Sequence, residues 1–120
     1  MGNIYKVLTE KEWQHSSSLG HITTSLDEQD GFIHFSSSKQ LALTLQLYFK
    51  KHDRVILLQI NDKHIKTKIV YEETKTGGRP GKFPHLYGKL GIEDVFKSWN
   101  LERNAFGLPE EVLTESENSN

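Results

Sequence analysis

The chain has 120 residues, 35% of them hydrophobic and 26% charged, a length that fits one domain with its own core and excludes two independent ones. It contains no Cys, which removes disulfides, thiolate nucleophiles, thiolate zinc sites and iron–sulfur clusters and makes a reducing cytoplasm the expected location. The formal net charge is −1, which argues against a nucleic-acid partner, and neither a secretory leader nor a membrane span is expected.

Ile4 to Leu8 reads as a short strand, and Thr9-Glu10-Lys11-Glu12 matches a capping box that opens a helix from about residue 10 to 17. Residues 16–31, rich in Ser, Thr, Gly and Asp, read as a loop with room for one short turn. Gly31 to Ser36 resumes an extended pattern. Alternation along a strand puts Phe32, His34 and Ser36 on one face and Ile33 and Phe35 on the other. Ser37-Ser38-Lys39-Gln40 is a second capping box, and the helix after it carries Leu41, Leu45, Tyr48 and Phe49 in one stripe, widened by Leu43 and Leu47.

Arg54 to Ile60 is the strongest strand, and Ile65 to Glu72 alternates as the next one after a turn at Asn61-Asp62, so these two are expected to pair antiparallel. Residues 74–82 form a basic loop punctuated by Gly and Pro, after which Pro84 keeps Phe83 extended. Val95, Trp99 and Leu101 follow period two and predict a closing strand. The globular domain is placed at residues 1–108, and residues 109–120, with four Glu and no Lys or Arg, read as a disordered acidic tail. Ten Lys or Arg against four Asp or Glu in residues 50–89 permit an anionic ligand. The expected fold is a single α+β domain with two or three helices.

Several familiar constellations fail. Gly77 and Gly81 have three residues between them where a phosphate loop needs four, and Phe83 follows Lys82 where Ser or Thr belongs. The six His, at 15, 21, 34, 52, 64 and 85, lack metal-ligand spacing, so no metal is expected. Ser36, Ser37 and Ser38 lack a nucleophile elbow and suit helix capping.

Two segments remain in which polar groups stand among aromatics, Asp30 to Ser36 and Phe83 to Gly88. Each sets a His on extended backbone, with His34 and Ser36 on one face and His85 and Tyr87 on another, while Leu86 turns to the core. Two such faces meeting make a partly apolar pocket with a few donors and acceptors, as a small-molecule site requires. The same residues also fit plainer roles. His34 and His85 suit half-buried rings bonded to backbone, Tyr87 a packing residue, Glu72 an exposed or Lys-paired carboxylate, and Arg79 and Lys82 surface charges.

These strings, with Ile4-Tyr5-Lys6, Trp13, Gln40, Leu57-Leu58 and Tyr71-Glu72, resemble the family catalogued as domain of unknown function 952, small single-domain proteins mostly from bacteria. The likeness covers roughly residues 3–102. The family's fold in turn resembles the ADP-ribosyltransferase superfamily, including RNA 2′-phosphotransferases, which hold NAD or a ribose phosphate in the cleft of a split sheet, and the resemblance implies a split mixed or antiparallel sheet for this α+β domain. Gly31 to Ser36 is similar to the segment that lines the nicotinamide site there, which gives His34 a functional position. Lys6 stands where that superfamily carries His or Arg, no Glu-x-Glu is matched, and Arg79 is the one Arg near a candidate site.

The resemblance implies a pocket that binds NAD, a nucleotide or a phosphorylated ribose, and, if it is an enzyme, a glycosyl or phosphoryl transferase. Transfer through a cationic ribose needs a carboxylate, a role open to Glu72. His34 and His85 would hold hydroxyls, Tyr5, Ser36 and Tyr87 would line the ligand, and Arg79 and Lys82 would face phosphates. A non-catalytic metabolite-binding or protein-interaction module is the alternative. Oligomeric state is not set by the sequence.

Overall fold

The structure is a computed structural model, and it describes residues 3–49, 51–61, 65, 69–73, 81–102 and 112. Strand β1 (Asn3–Thr9) runs straight into helix α1 (Glu10–Leu19). The Thr9 hydroxyl accepts from the Glu12 amide at 3.1 Å, and Glu12 Oε1 accepts from the Thr9 amide at 2.9 Å. Two amides that the helix itself cannot serve are thereby satisfied.

Strand β2 (His21–Ile22), helix α2 (Ser25–Asp30) and strand β3 (Ile33–His34) come next. The interval 16–31, expected as a loop, therefore holds a helix end, a strand and a second helix. Its Ser, Thr, Asp and Gly mark helix ends: the Thr24 hydroxyl accepts from the Asp27 amide at 3.1 Å, and Gly31 closes α2 at φ 82, a left-handed conformation open to glycine. A 3-10 turn (Ser38–Gln40), with Gln40 Oε1 on the Ser37 amide at 2.9 Å, leads into helix α3 (Leu41–Tyr48). That helix buries Leu41, Thr44 and Leu45 at the spacing of one helical face.

Strand β4 (Arg54–Asn61) is the centre of an antiparallel sheet, with β1 on one edge and β8 (Val95–Glu102) on the other. Strand β5 (Ile69–Glu73) pairs instead with β6 (Lys82–Leu86), whose far edge takes β3. The expected pairing of 54–60 with 65–72 is thus not formed: both edges of β4 are already filled, and β5 belongs to another sheet. Strand β7 (Leu90–Gly91) pairs with β2. These pairings are all antiparallel, and with helices α1, α2 and α3 they make a small α+β domain. Residues 74–80 of the basic loop lie outside the described residues, as does the acidic tail apart from Val112, which is fully buried.

The run RVILLQI lacks strict alternation because β4 is covered on both faces. Ile56, Leu58 and Ile60 join Ile4, Leu8, Ile22, Ile33 and Phe35 on one side. Val55 and Leu57 join Tyr5, Val7, Leu41, Leu45 and Leu101 on the other. Burying each such side chain contributes about 1.5–3 kcal/mol. On its second edge β1 makes one bridge: Tyr5 and Ser36 exchange backbone hydrogen bonds at 2.8 Å each way. That bridge fastens the first sheet to the segment after β3 and sets Lys6 beside His34.

Candidate functional site

Strands β3 and β6 pair so that His34 stands directly opposite His85, where cross-strand side chains meet. Their ring centroids are 5.4 Å apart. Ile33 and Leu86, paired one step along, point the other way into the core, and this anchoring keeps both imidazoles on the outer face of the sheet.

His34 is held by α2. Asp27 Oδ1 accepts the His34 amide at 3.1 Å and lies 2.7 Å from Nδ1, while Asp30 Oδ2 lies 2.9 Å from Nε2. With both carboxylates ionised, each contact is a hydrogen bond only when the facing nitrogen carries a proton. Asp27 Oδ2 forms an ion pair with Lys6 Nζ at 2.9 Å, and Lys6 donates to the His34 carbonyl at 2.9 Å, which closes a ring of three residues. Both members of the pair are buried, with side chains 5% and 2% exposed. Burial pushes the Asp27 pKa up, but the hydrogen bond from His34 and the Lys6 charge together outweigh it, and the carboxyl is held below its ordinary value.

His85 is 3% exposed. Its Nδ1 lies 2.8 Å from Glu72 Oε1, and the Tyr87 hydroxyl donates to the same oxygen at 2.8 Å. The hydrogen bond to Glu72 raises the Tyr87 pKa above its ordinary value, with smaller contributions from desolvation and from the carboxylate charge. Phe32 lies over this group: its ring stacks on His85 at 4.1 Å and sits 4.6 Å from His34 and 5.2 Å from Tyr87.

His34, His85, Glu72 and Tyr87 are therefore brought into one cluster. Ser36 and Tyr5 lie next to it, lining with His34, Lys6 and Asp27 a cavity of about 120 Å³. The Ser36 hydroxyl is 2.9 Å from that of Thr44. Lys82 is not brought to the cluster, since period two along β6 puts it on the face opposite His85. Arg79 lies outside the described residues. Phe32 packs on both His34 and His85, in the hollow expected between them.

Asp27, Asp30 and Phe32 were missed by the sequence reading. Thr24-x-x-Asp27 followed by Gly31 was the available signal for α2 and its carboxylates, and alternation already set Phe32 on the face of His34. Chemically the cluster offers two imidazoles, each oriented by a carboxylate, beside the rings of Phe32 and Tyr87. Among the described residues no group of three or more His, Cys, Asp or Glu is placed to hold a metal, and no helix is long and apolar enough to cross a membrane.

Among solved structures, the chain is similar to the crystal structure of protein CC0527 from Caulobacter crescentus, with 29% identity over 90% of this chain and 93% of that one and a TM-score of 0.76. The solution NMR structure of the same protein matches at 31% identity over 92% and 93%, with a TM-score of 0.73. No curated protein matches. Residues 7–98 match the family model described as protein of unknown function (DUF952), and the chain belongs to that family.

Proposed function

We propose that this protein binds NAD or another ribose-bearing nucleotide at the face that carries His34 and His85. The observation that carries this reading is the register pairing of those two imidazoles beneath Phe32, with a carboxylate on each. Aromatic rings offer a base a surface to stack on. Asp30 and Glu72, with side chains 36% and 38% exposed, are acceptors within reach of ribose hydroxyls. The similarity of Gly31 to Ser36 to the nicotinamide-lining segment of the ADP-ribosyltransferase superfamily supports the same ligand class. Glu72 is also the carboxylate able to stabilise a cationic ribose if transfer takes place.

The test is titration of the protein with NAD, ADP-ribose and AMP, followed through the backbone amides of residues 31–36 and 83–88 and through Trp13 and Trp99 fluorescence. Saturable shifts are expected at those amides. They should vanish in a His34→Ala/His85→Ala double variant whose β4 amides are unchanged. No response to any of the three at millimolar concentration overturns the reading, and release of nicotinamide from NAD identifies transfer.

A further inference from the structure

Phe32 packs against both imidazoles and covers the buried one, His85. Three rings surround its own, with His85 stacked at 4.1 Å and an interplanar angle of 26°. Phe32 also lines a cleft of about 350 Å³, together with Gly31, Gly88 and Lys89. Neither His34 nor His85 is among the walls of that cleft. The ring is half-buried whereas His85 is almost wholly buried, so Phe32 is the group that stands between them. Beside its preceding residue, Gly31, no heavy atom other than those of its chain neighbours lies within 4 Å of where a Cβ would stand, so there is open space next to the Phe32 backbone.

We propose that Phe32 is a stand-in for a planar ring of the ligand: the box formed by His34, His85 and Tyr87 is a ring-binding subsite, entered from the cleft when Phe32 swings aside. The inference rests on the nucleotide reading for the identity of the ligand, but the subsite itself rests on the ring geometry. A ring that takes the place of Phe32 recovers the stack on His85. A nitrogen heterocycle does more, because an exocyclic amino group can donate a hydrogen bond to the Glu72 carboxylate, for which a phenyl ring has no donor. Lys89 at the rim of the cleft is offset by Asp27 and Glu28 in the same walls, so the subsite is defined by the heteroaromatic ring it takes and not by a charged tail on that ring. Because Phe32 competes for the box, the apparent affinity of the resting protein is lowered by the fraction of molecules in which it is closed.

The experiment compares wild type with Phe32→Ala, using free adenine and AMP as probes and the ring resonances of His34 and His85 as the readout. In Phe32→Ala both probes are expected to bind about three- to tenfold more tightly, the range of one lost aromatic pair, and to shift both imidazoles. If Phe32→Ala does not keep the pairing of β3 with β6, Phe32→Leu replaces it, retaining apolar bulk without the ring, and the same direction is expected. A folded variant that binds adenine no more tightly than wild type, or leaves both imidazole signals unmoved, overturns the subsite. If adenine shifts those signals but AMP, ADP-ribose and NAD all fail to bind, the subsite stands and the nucleotide reading falls.

Discussion

Substituting Asp27 by Asn removes one charge from a buried ion pair with almost no change of volume. Lys6 Nζ, 2.9 Å from Asp27 Oδ2, then retains the His34 carbonyl at 2.9 Å as its remaining partner. An ammonium stripped of its counter-charge in a buried setting costs about 3–5 kcal/mol, where an exposed pair would cost at most about 1 kcal/mol. Unfolding entropy is about 2.1 cal/mol/K per residue, or about 0.25 kcal/mol/K over 120 residues, so the melting temperature should fall by about 12–20 °C. Thermal and urea unfolding at pH 7, followed by circular dichroism and Trp fluorescence, measure this directly. Replacing both partners, as Lys6→Met with Asp27→Leu, should recover much of the loss and leave about 1–3 kcal/mol for the His34 amide deprived of its acceptor. A loss below about 1 kcal/mol for Asp27→Asn alone would refute the buried-pair argument. The pH dependence has a definite sign. Because the folded-state pKa of Asp27 lies below its ordinary value of 3.8, the stability it adds is full above that value. The gap between wild type and Asp27→Asn should therefore narrow as pH falls below about 3.8 through the folded pKa.

Three further outcomes are expected. Tyr87 should ionise above the ordinary tyrosine value of 10.0 in an ultraviolet or NMR titration, and Glu72→Gln should bring it back toward that value, because the Glu72 carboxylate is the main cause of the shift. Thr9→Ala should cost about 1 kcal/mol in denaturant unfolding, since it removes the hydroxyl that caps α1; Thr9→Ser should not. Gly31→Ala should cost about 1 kcal/mol through its φ of 82 alone, since no atom lies within 4 Å of the added carbon; a neutral result would show that the turn relaxes.

Local structure was more legible in the sequence than pairing was. The capping box at Thr9 and the alternation from Phe32 to Phe35 are short-range patterns, and each has its counterpart in the structure, the second in the contact of Phe32 with His34 and the burial of Ile33 and Phe35 in the core. Strand β4 was readable as a strand, but its doubly buried run carries no indication of which strands cover its edges. The hairpin expectation used the nearest neighbour in sequence, whereas β4 pairs with β1 and β8. Helix α2 was hidden by its own ends, since in six residues capping and terminating groups outnumber apolar ones. The Lys6–Asp27–His34 ring joins three elements through contacts of 7 and 28 residues' separation, which no local pattern reports. Lys82 could have been set aside earlier, because the alternation that groups His85 with Tyr87 turns Lys82 to the other side.

Helix α2 is under two turns long, too short to persist on its own hydrogen bonds, yet it carries both carboxylates that face His34. It is moored largely through Asp27, so Asp27 and Asp30 arrive and depart together. One local opening would bare the His34 ring and strand the Lys6 charge in the same event. Amide exchange in α2 should accordingly outpace that of β4, and the two acids behave as one detachable clasp on the imidazole.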